Sequence, residues 1–326
     1  MSAPASFELR SGETWRDPFP MYRNLRDHDP VHHVPGDGGQ PAFWFLSRFA
    51  DVFDAVRDTA AFSSASGLTV EAGTGIDLNE ATPIVFLDPP DHTTFRRLVS
   101  SGFTPRHVSD FEDDMRAFVV ERIEHLRAAG GGDIVAELFK PLPSFVVANY
   151  LGVPSSDRTL FDRWTEQIVA AAAQGRTDDP ESGVLDLLAY FTGLVESRRD
   201  EPGDDMVSYL LSLGADTVSA TWVLGFVFTM VTGGNDTTTG LLGGAAVLLA
   251  DHPDQRRMLA EDPSLVPAAV EELLRLTSPV QNLARTTTRD VKVNGTTIPE
   301  GSKVLLGYGA ANRDQREFGD GAEHLD

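Results

Sequence analysis

Residues 231–240 read VTGGNDTTTG, set between the apolar runs WVLGFVFTM and LLGGAAVLLA. An acid, Asp236, stands directly before an alcohol, Thr237, one helical turn beyond the glycine pair Gly233 and Gly234. An adjacent carboxyl and hydroxyl can pass protons to a group lying against them. Glycine leaves the backbone bare enough for a flat or bulky group to approach. Helix stability does not explain the stretch. A glycine inside a helix costs about 1 kcal/mol relative to alanine, so Gly233, Gly234, Gly240, Gly243 and Gly244 together give up about 4–5 kcal/mol. An unpaired buried carboxylate adds to that cost. At about 100° per residue, Phe226, Met230, Gly233, Gly234, Thr237, Leu241 and Gly244 share one face, with Asp236 on its flank. Taken alone, the motif has two readings. One is a groove that handles protons; the other is close helix packing through small residues, with Thr237 and Thr238 bonded back to the preceding turn.

Three further sets of residues have chemical potential. In VEELLRLTSPV (270–280), Glu272 and Arg275 share one helix face; in isolation such a pair is ordinary surface decoration. In DPPDHTTFRRL, His92 and Arg96 lie one turn apart and offer two donors to an anion, or simply a solvated face. Arg285, in NLARTTTRD, sits among apolar neighbours in an apparent strand, where a buried partner is required.

The elements that must position these groups are mostly helical. Short strands are predicted at PVHHV (30–34), AFWFLSR (42–48) and KVLLGYGAA (303–311), and VKVNGTTIP (291–299) carries the hairpin signal Asn294-Gly295. Asp88 followed by Pro89 predicts a capped helix start before DHTTFRRLVS. Thr104-Pro105 opens another helix running to the glycines at 130–132. Further helices are predicted near 140–151, 157–174, 183–200, 204–213, 216–250, 252–261 and 264–276, with loops at 71–75 and 174–183. The fold class is mainly α with a small β region, an α+β unit over 1–326. Strands near 30–48 and 283–311 form the β region, and 88–282 the helical body.

Bulk composition narrows the function. The 326 residues are 41% hydrophobic and 23% charged, as in an ordinary globular protein. With 27 basic and 49 acidic residues the net charge is −22, a field that opposes general nucleic-acid binding and anionic membranes. There is no cysteine, so neither a disulfide nor a thiolate metal site exists within these residues. The N-terminal MSAPASFELRSGETW has no apolar signal-peptide core, which points to a cytoplasmic protein. Val223–Ala250 is long enough for a bilayer, but its polar centre and lack of basic flanks favour a long central helix.

Taken together and in order, these motifs resemble those of the bacterial soluble cytochrome P-450 family, of actinobacterial and mycobacterial type. The likeness rests on DPPDHTTFRRLVSSGFTPRHV, LPSFVVANYLGVP, VTGGNDTT, EELLRLTSPV, ARTTTRDVKVNGTTIPEG and YGAANRD, and covers essentially the whole chain. It implies a cytochrome P-450 fold and a monooxygenase that inserts one oxygen atom of dioxygen into a hydrophobic small molecule. Heme b would be the cofactor, and a ferredoxin-type donor with its NAD(P)H-dependent reductase would supply electrons. By the resemblance, the glycine-notched helix with Gly233 and Gly234 crosses the heme face, and Asp236 and Thr237 guide protons there. His92, Arg96 and Arg285 pair with the heme propionates, while Glu272 and Arg275 form a structural ion pair. Arg96, Arg97, Arg106 and His107 would receive the acidic electron donor. Substrate would be met by 67–87, 226–234 and 280–283.

One departure is plain. The family's iron is held by a cysteine thiolate in a loop downstream of the segment that ANRDQREFGDGAEHLD resembles, and no cysteine is present. No other residue replaces it, so the metal-ligand set is empty. The expectation is a P-450 fold incomplete at its C-terminus and inactive as written, without the arginine that usually completes the Glu–Arg pair. The alternative is a heme-free remnant acting as a binding or scaffold protein. A membrane protein built on 223–250 is a third reading, separable by its need for detergent.

Overall fold

The computed structural model describes residues 6–8, 16–36, 41–70, 82–103, 105–173 and 183–325. The chain gathers into two compact units, one made of 1–74 with 244–326 and the other of 75–243. In chain order the first elements are α1 (Phe19–His28), β1 (Val31–Val34), β2 (Phe43–Leu46), α2 (Phe49–Arg57) and β3 (Phe62–Ser63). The helical stretch follows with α3 (Asp91–Ser100), α4 (Pro105–Asp110), α5 (Glu112–Ala128) and a π-helical turn at Val135–Phe139. It continues through α6 (Pro141–Tyr150), α7 (Arg158–Ala173), α8 (Val184–Asp200), α9 (Met206–Ser212) and α10 (Ala220–Asp251). The chain then forms α11 (Pro253–Glu261), α12 (Val266–Thr277), β4 (Leu283–Thr287), β5 (Val291–Val293), β6 (Thr296–Ile298), β7 (Lys303–Leu306), α13 (Tyr308–Ala311) and α14 (Gln315–Phe318).

The sheet unit is built on β2, whose Phe43, Phe45 and Leu46 are buried. Strand order is β1-β2-β7-β4-β3, with β2 and β7 parallel and the other pairs antiparallel. Phe7 stacks on Phe45 at 4.3 Å and Tyr22 of α1 at 5.8 Å. Burying one such ring stabilises the unit by about 1.5–3 kcal/mol. The strand predicted over 303–311 stops at Leu306. The Gly307 amide donates to the Leu46 carbonyl at 2.9 Å, and a Cβ at Gly307 would strike the Phe45 ring. The chain therefore turns there into α13. The 291–299 hairpin forms as β5 and β6, with Asn294 at φ 45° and Gly295 at φ 86°, the left-handed pair a tight primed turn demands. Sequence patterning missed α1, α2 and β3. The last is only a residue pair whose identity as a strand comes from pairing with β4.

The helical unit packs around the first half of α10, a helix about 48 Å long at 1.5 Å per residue. Val223, Val227 and Val231 recur along one stripe and are fully buried. They share a core with Leu151, Phe161, Ile168, Leu187, Phe191 and Leu210. Trp222 stacks on Phe95 of α3 at 4.4 Å. Helix α3 runs from Asp91, and the His92 amide already donates to the Asp88 carbonyl at 3.0 Å, in keeping with the predicted start. One predicted boundary is corrected. The helix predicted from Thr104 onward breaks at Phe111, which is buried against Phe145 at 5.3 Å; Thr104 itself lies outside the described residues. So do 71–75 and 174–182, predicted as loops. Among the described residues no helix is long and apolar enough to cross a membrane, which removes the span considered at 223–250.

Candidate functional site

The polar centre of α10 is organised by its own backbone. Thr229, Thr232 and Thr237 donate their hydroxyls to the carbonyls of Gly225, Phe228 and Gly233 at 2.8, 2.9 and 2.8 Å. This is the back-bonding that lets threonine live inside a helix. Thr237, and not Thr238, makes the predicted bond to the glycine turn. Thr239 instead donates to Phe139 of the π-helical turn at 3.1 Å. The two adjacent glycines do different work. A Cβ on Gly234 would sit 3.0 Å from Val147 of α6, so Gly234 permits close helix packing. A Cβ on Gly233 would meet nothing within 4 Å. Farther along, Gly244 admits Thr277, whose Cγ2 would lie 2.6 Å from an added Cβ. Packing and bareness, the two readings of the motif, are both present, one residue apart.

Asp236 opens onto a cavity of about 570 Å³ whose lining includes Arg122, Lys140, Thr165, Glu166 and Asn235. The side chain is exposed as a whole, yet the cavity walls strip water from its carboxyl and raise its pKa above the ordinary value. Lys140 pulls in the opposite direction. Asn235, only 4% exposed, gives its amide nitrogen to the Val231 carbonyl at 2.6 Å. Sequence analysis missed Arg122, Lys140, Thr165 and Glu166. They come from α5, the turn before α6, and α7, and no spacing rule joins these segments.

On α3, His92 is half-buried and Arg96 and Arg97 are exposed. His92 and Arg96 make no ion pair among the described residues. The side chains of Arg106 and His107 lie outside those described. In the sheet unit Arg285 is half-buried on β4. Its guanidinium donates to the Ala284 carbonyl at 2.8 Å and lies against Tyr308, where burial raises the phenol pKa and Arg285 opposes the rise. The buried partner is thus a carbonyl and a phenol. No carboxylate pairs with Arg285 among the described residues.

Glu272 and Arg275 are more than surface decoration. Their side chains are 19% and 12% exposed, and the guanidinium grips the carboxylate with two bonds of 2.6 and 2.5 Å. Arg275 also donates to the carbonyls of Asn312 at 2.8 Å and Ala322 at 2.6 Å, and lies over the Phe318 ring at 4.9 Å. The pair fastens α12 to the segment 312–324.

A sequence profile of the Cytochrome P450 family matches residues 195–324. Cytochrome P450 130 of Mycobacterium tuberculosis is 59% identical over 328 residues, which cover 98% of this chain and 81% of that protein. The chain belongs to the cytochrome P450 family. The Vitamin D(3) 25-hydroxylase of Pseudonocardia autotrophica is 37% identical, with 94% of this chain and 76% of that protein covered. Among solved structures, cytochrome P450 CYP109Q5 from Chondromyces apiculatus superimposes with a TM-score of 0.84 at 34% identity. The match covers 97% of this chain and 79% of that one. The mainly helical fold with a small sheet is that of the family.

Cytochromes P450 are oxidoreductases, monooxygenases that bind heme b. The residues of this P450 chain fit that group in part. Within the helical unit, Gly233 leaves bare backbone beside the Thr237 hydroxyl, and Arg96 holds charge that no carboxylate among the described residues neutralises. A thiolate is the family's iron donor; the 326 residues, which span 81% of the length of Cytochrome P450 130, include no cysteine. Among the described residues no cluster of His, Asp or Glu could hold a metal ion instead.

Proposed function

We propose that this P450 chain serves a monooxygenase reaction on a hydrophobic small molecule, with electrons from a ferredoxin-type donor and its NAD(P)H-dependent reductase. Heme, when bound with a thiolate, supplies the reductive activation of dioxygen. The chain's own residues then have three tasks. His92, Arg96 and Arg285 hold the propionates through charge-assisted bonds. Thr237, its hydroxyl proton committed to Gly233, keeps an oxygen lone pair turned to the bare side of the helix, ready to accept and hand on a proton. Asp236, with its pKa raised by desolvation, holds a proton closer to neutrality than an ordinary carboxyl and exchanges it with the cavity beside it. The helix stretch 226–234 is apolar apart from Thr229 and Thr232, whose hydroxyls are already bonded, and so suits an apolar substrate. The relative that hydroxylates vitamin D(3) supports the same class. The exposed Arg96 and Arg97 are the proposed landing point for the acidic donor.

The observation that carries this reading is the 2.8 Å bond from Thr237 to Gly233 beside a glycine whose Cβ position is open. In the holoenzyme, Thr237→Ala is expected to divert electrons from product to peroxide while heme content stays constant. Peroxide and product are measured per NAD(P)H consumed. Unchanged coupling removes Thr237 from the mechanism.

Hemin titration of the purified chain separates the monooxygenase reading from a heme-free remnant with the P450 fold: a saturable Soret band supports the first, and cooperative folding with no Soret band the second.

A further inference from the structure

The cavity against α10 has features that the proposed reaction does not use. Five charged side chains line it: Arg122 from α5, Lys140 just before α6, Asp162 and Glu166 from α7 and Asp236 from α10. Arg122, Lys140, Glu166 and Asp236 have no ion-pair partner among the described residues, although both signs face one space. Three polar atoms in the same lining are buried with no hydrogen-bond partner among the described residues: Arg122 Nε, Thr165 Oγ1 and Asn235 Oδ1. Thr165 and Asn235 are each only 4% exposed. Asp162, in the same lining, is different, since it accepts the Ser144 hydroxyl at 2.5 Å. Native proteins rarely leave buried polar atoms unmet, so a cluster of three in one cavity points to an occupant that meets them.

The arrangement of charge selects the chemistry of that occupant. A simple anion would satisfy Arg122 and Lys140 and leave three carboxylates facing it, of which only Asp162 has a hydroxyl to accept from. A simple cation would do the reverse. An apolar molecule would meet none of the polar atoms. We propose that the cavity binds a small zwitterion of amino-acid size. Its carboxylate lies towards Arg122 and Lys140, and its ammonium towards Glu166 and Asp236. Asn235 Oδ1 accepts an N–H, while Thr165 Oγ1 and Arg122 Nε donate to oxygen. At about 30 Å³ per water, a cavity of about 570 Å³ has room for such a molecule with several waters. This binding site stands on the cavity alone and holds whichever way the Thr237 experiment falls.

Titration calorimetry on the purified protein tests it with glycine and L-glutamine as zwitterionic probes and sodium acetate and methylammonium chloride as single-charge controls. Saturable binding of glycine or L-glutamine is expected, at least tenfold tighter than either control. Arg122→Met and Glu166→Gln should each weaken it tenfold or more with an unchanged far-UV circular dichroism spectrum. If Arg122→Met does not fold, Thr165→Val takes its place with a severalfold loss expected. No binding of either probe, binding equal to that of the controls, or binding that survives both charge removals overturns the proposal and leaves the cavity to water.

Discussion

The end of α12 and the centre of α10 are both polar interruptions of apolar helices, yet they differ in how far their polar groups are satisfied. Arg275 spends its donors on both oxygens of Glu272 and on the carbonyls of Asn312 and Ala322, and its face on Phe318. Nothing there is left to meet a ligand. At the centre of α10 the hydroxyls of Thr229, Thr232, Thr237 and Thr239 are tethered, but the Asp236 carboxyl has a raised pKa, the buried Asn235 amide oxygen is unmet and Gly233 faces open space. A saturated polar cluster holds a fold together, whereas an unsaturated one is where binding and proton chemistry can occur. By sequence alone the α10 motif had two open readings, whereas the Glu272–Arg275 pair in isolation read as ordinary surface decoration.

The largest effect expected from breaking this contrast is at the saturated cluster. Removing one partner of a buried, hydrogen-bonded pair costs about 3–5 kcal/mol, because the other charge is left uncompensated. Arg275→Ala should therefore lower the free energy of unfolding by that amount, read from the midpoint and slope of denaturant unfolding. Glu272→Ala should do nearly the same, and the double variant should cost far less than the sum. A loss below about 1 kcal/mol would put the pair back among exposed ion pairs.

The second test separates the two glycines. Gly234→Val forces methyl groups into a place where a bare Cβ already lies 3.0 Å from Val147. Overpacking of this kind costs about 1–3 kcal/mol. Gly233→Ala adds a methyl where nothing lies within 4 Å, and should gain up to about 1 kcal/mol of helix propensity. The same substitution should weaken hemin binding, followed by the Soret band, if bare backbone at Gly233 is what admits the porphyrin. Equal stability changes at both positions would erase the distinction between packing and access.

How much of this was legible in the sequence follows from how local each cause is. The α10 motif could be read because glycine, acid and alcohol fall within one turn, and the fold class because helical periodicity is local. The early stop of β7 could not, because it depends on Gly307 fitting beneath Phe45, far away in the chain. The break at Phe111 comes from a ring buried against Phe145, again a tertiary cause overriding a continuous helical pattern. The lining of the α10 cavity is the extreme case. Arg122, Lys140, Thr165 and Glu166 read as ordinary solvated positions until α5, the turn before α6, and α7 bring them to Asn235 and Asp236.

The smallest effect concerns Asp236, and its sign is the sharper part. Burial raises its carboxyl pKa in the folded protein, and Lys140 opposes the rise. The native state therefore binds a proton more readily than the unfolded chain in the window between the ordinary carboxylate pKa and the raised one. Stability falls as pH rises through that window. Below the window the group is protonated in both states and contributes nothing of this kind; above it the ionised carboxylate carries its desolvation cost in full. Asp236→Asn removes the titration, so the variant should gain on the wild type as pH rises across the window and keep a constant lead beyond it, measured by denaturant midpoints over a pH series. Lys140→Met in the wild-type background should shift the window upward, because the one opposing charge is gone. A wild type that instead gains on Asp236→Asn with rising pH would mean that attraction to Lys140 outweighs desolvation. Asp236 would then belong with Arg275 among the satisfied charges, and the contrast between the two helices would fail at its most important residue.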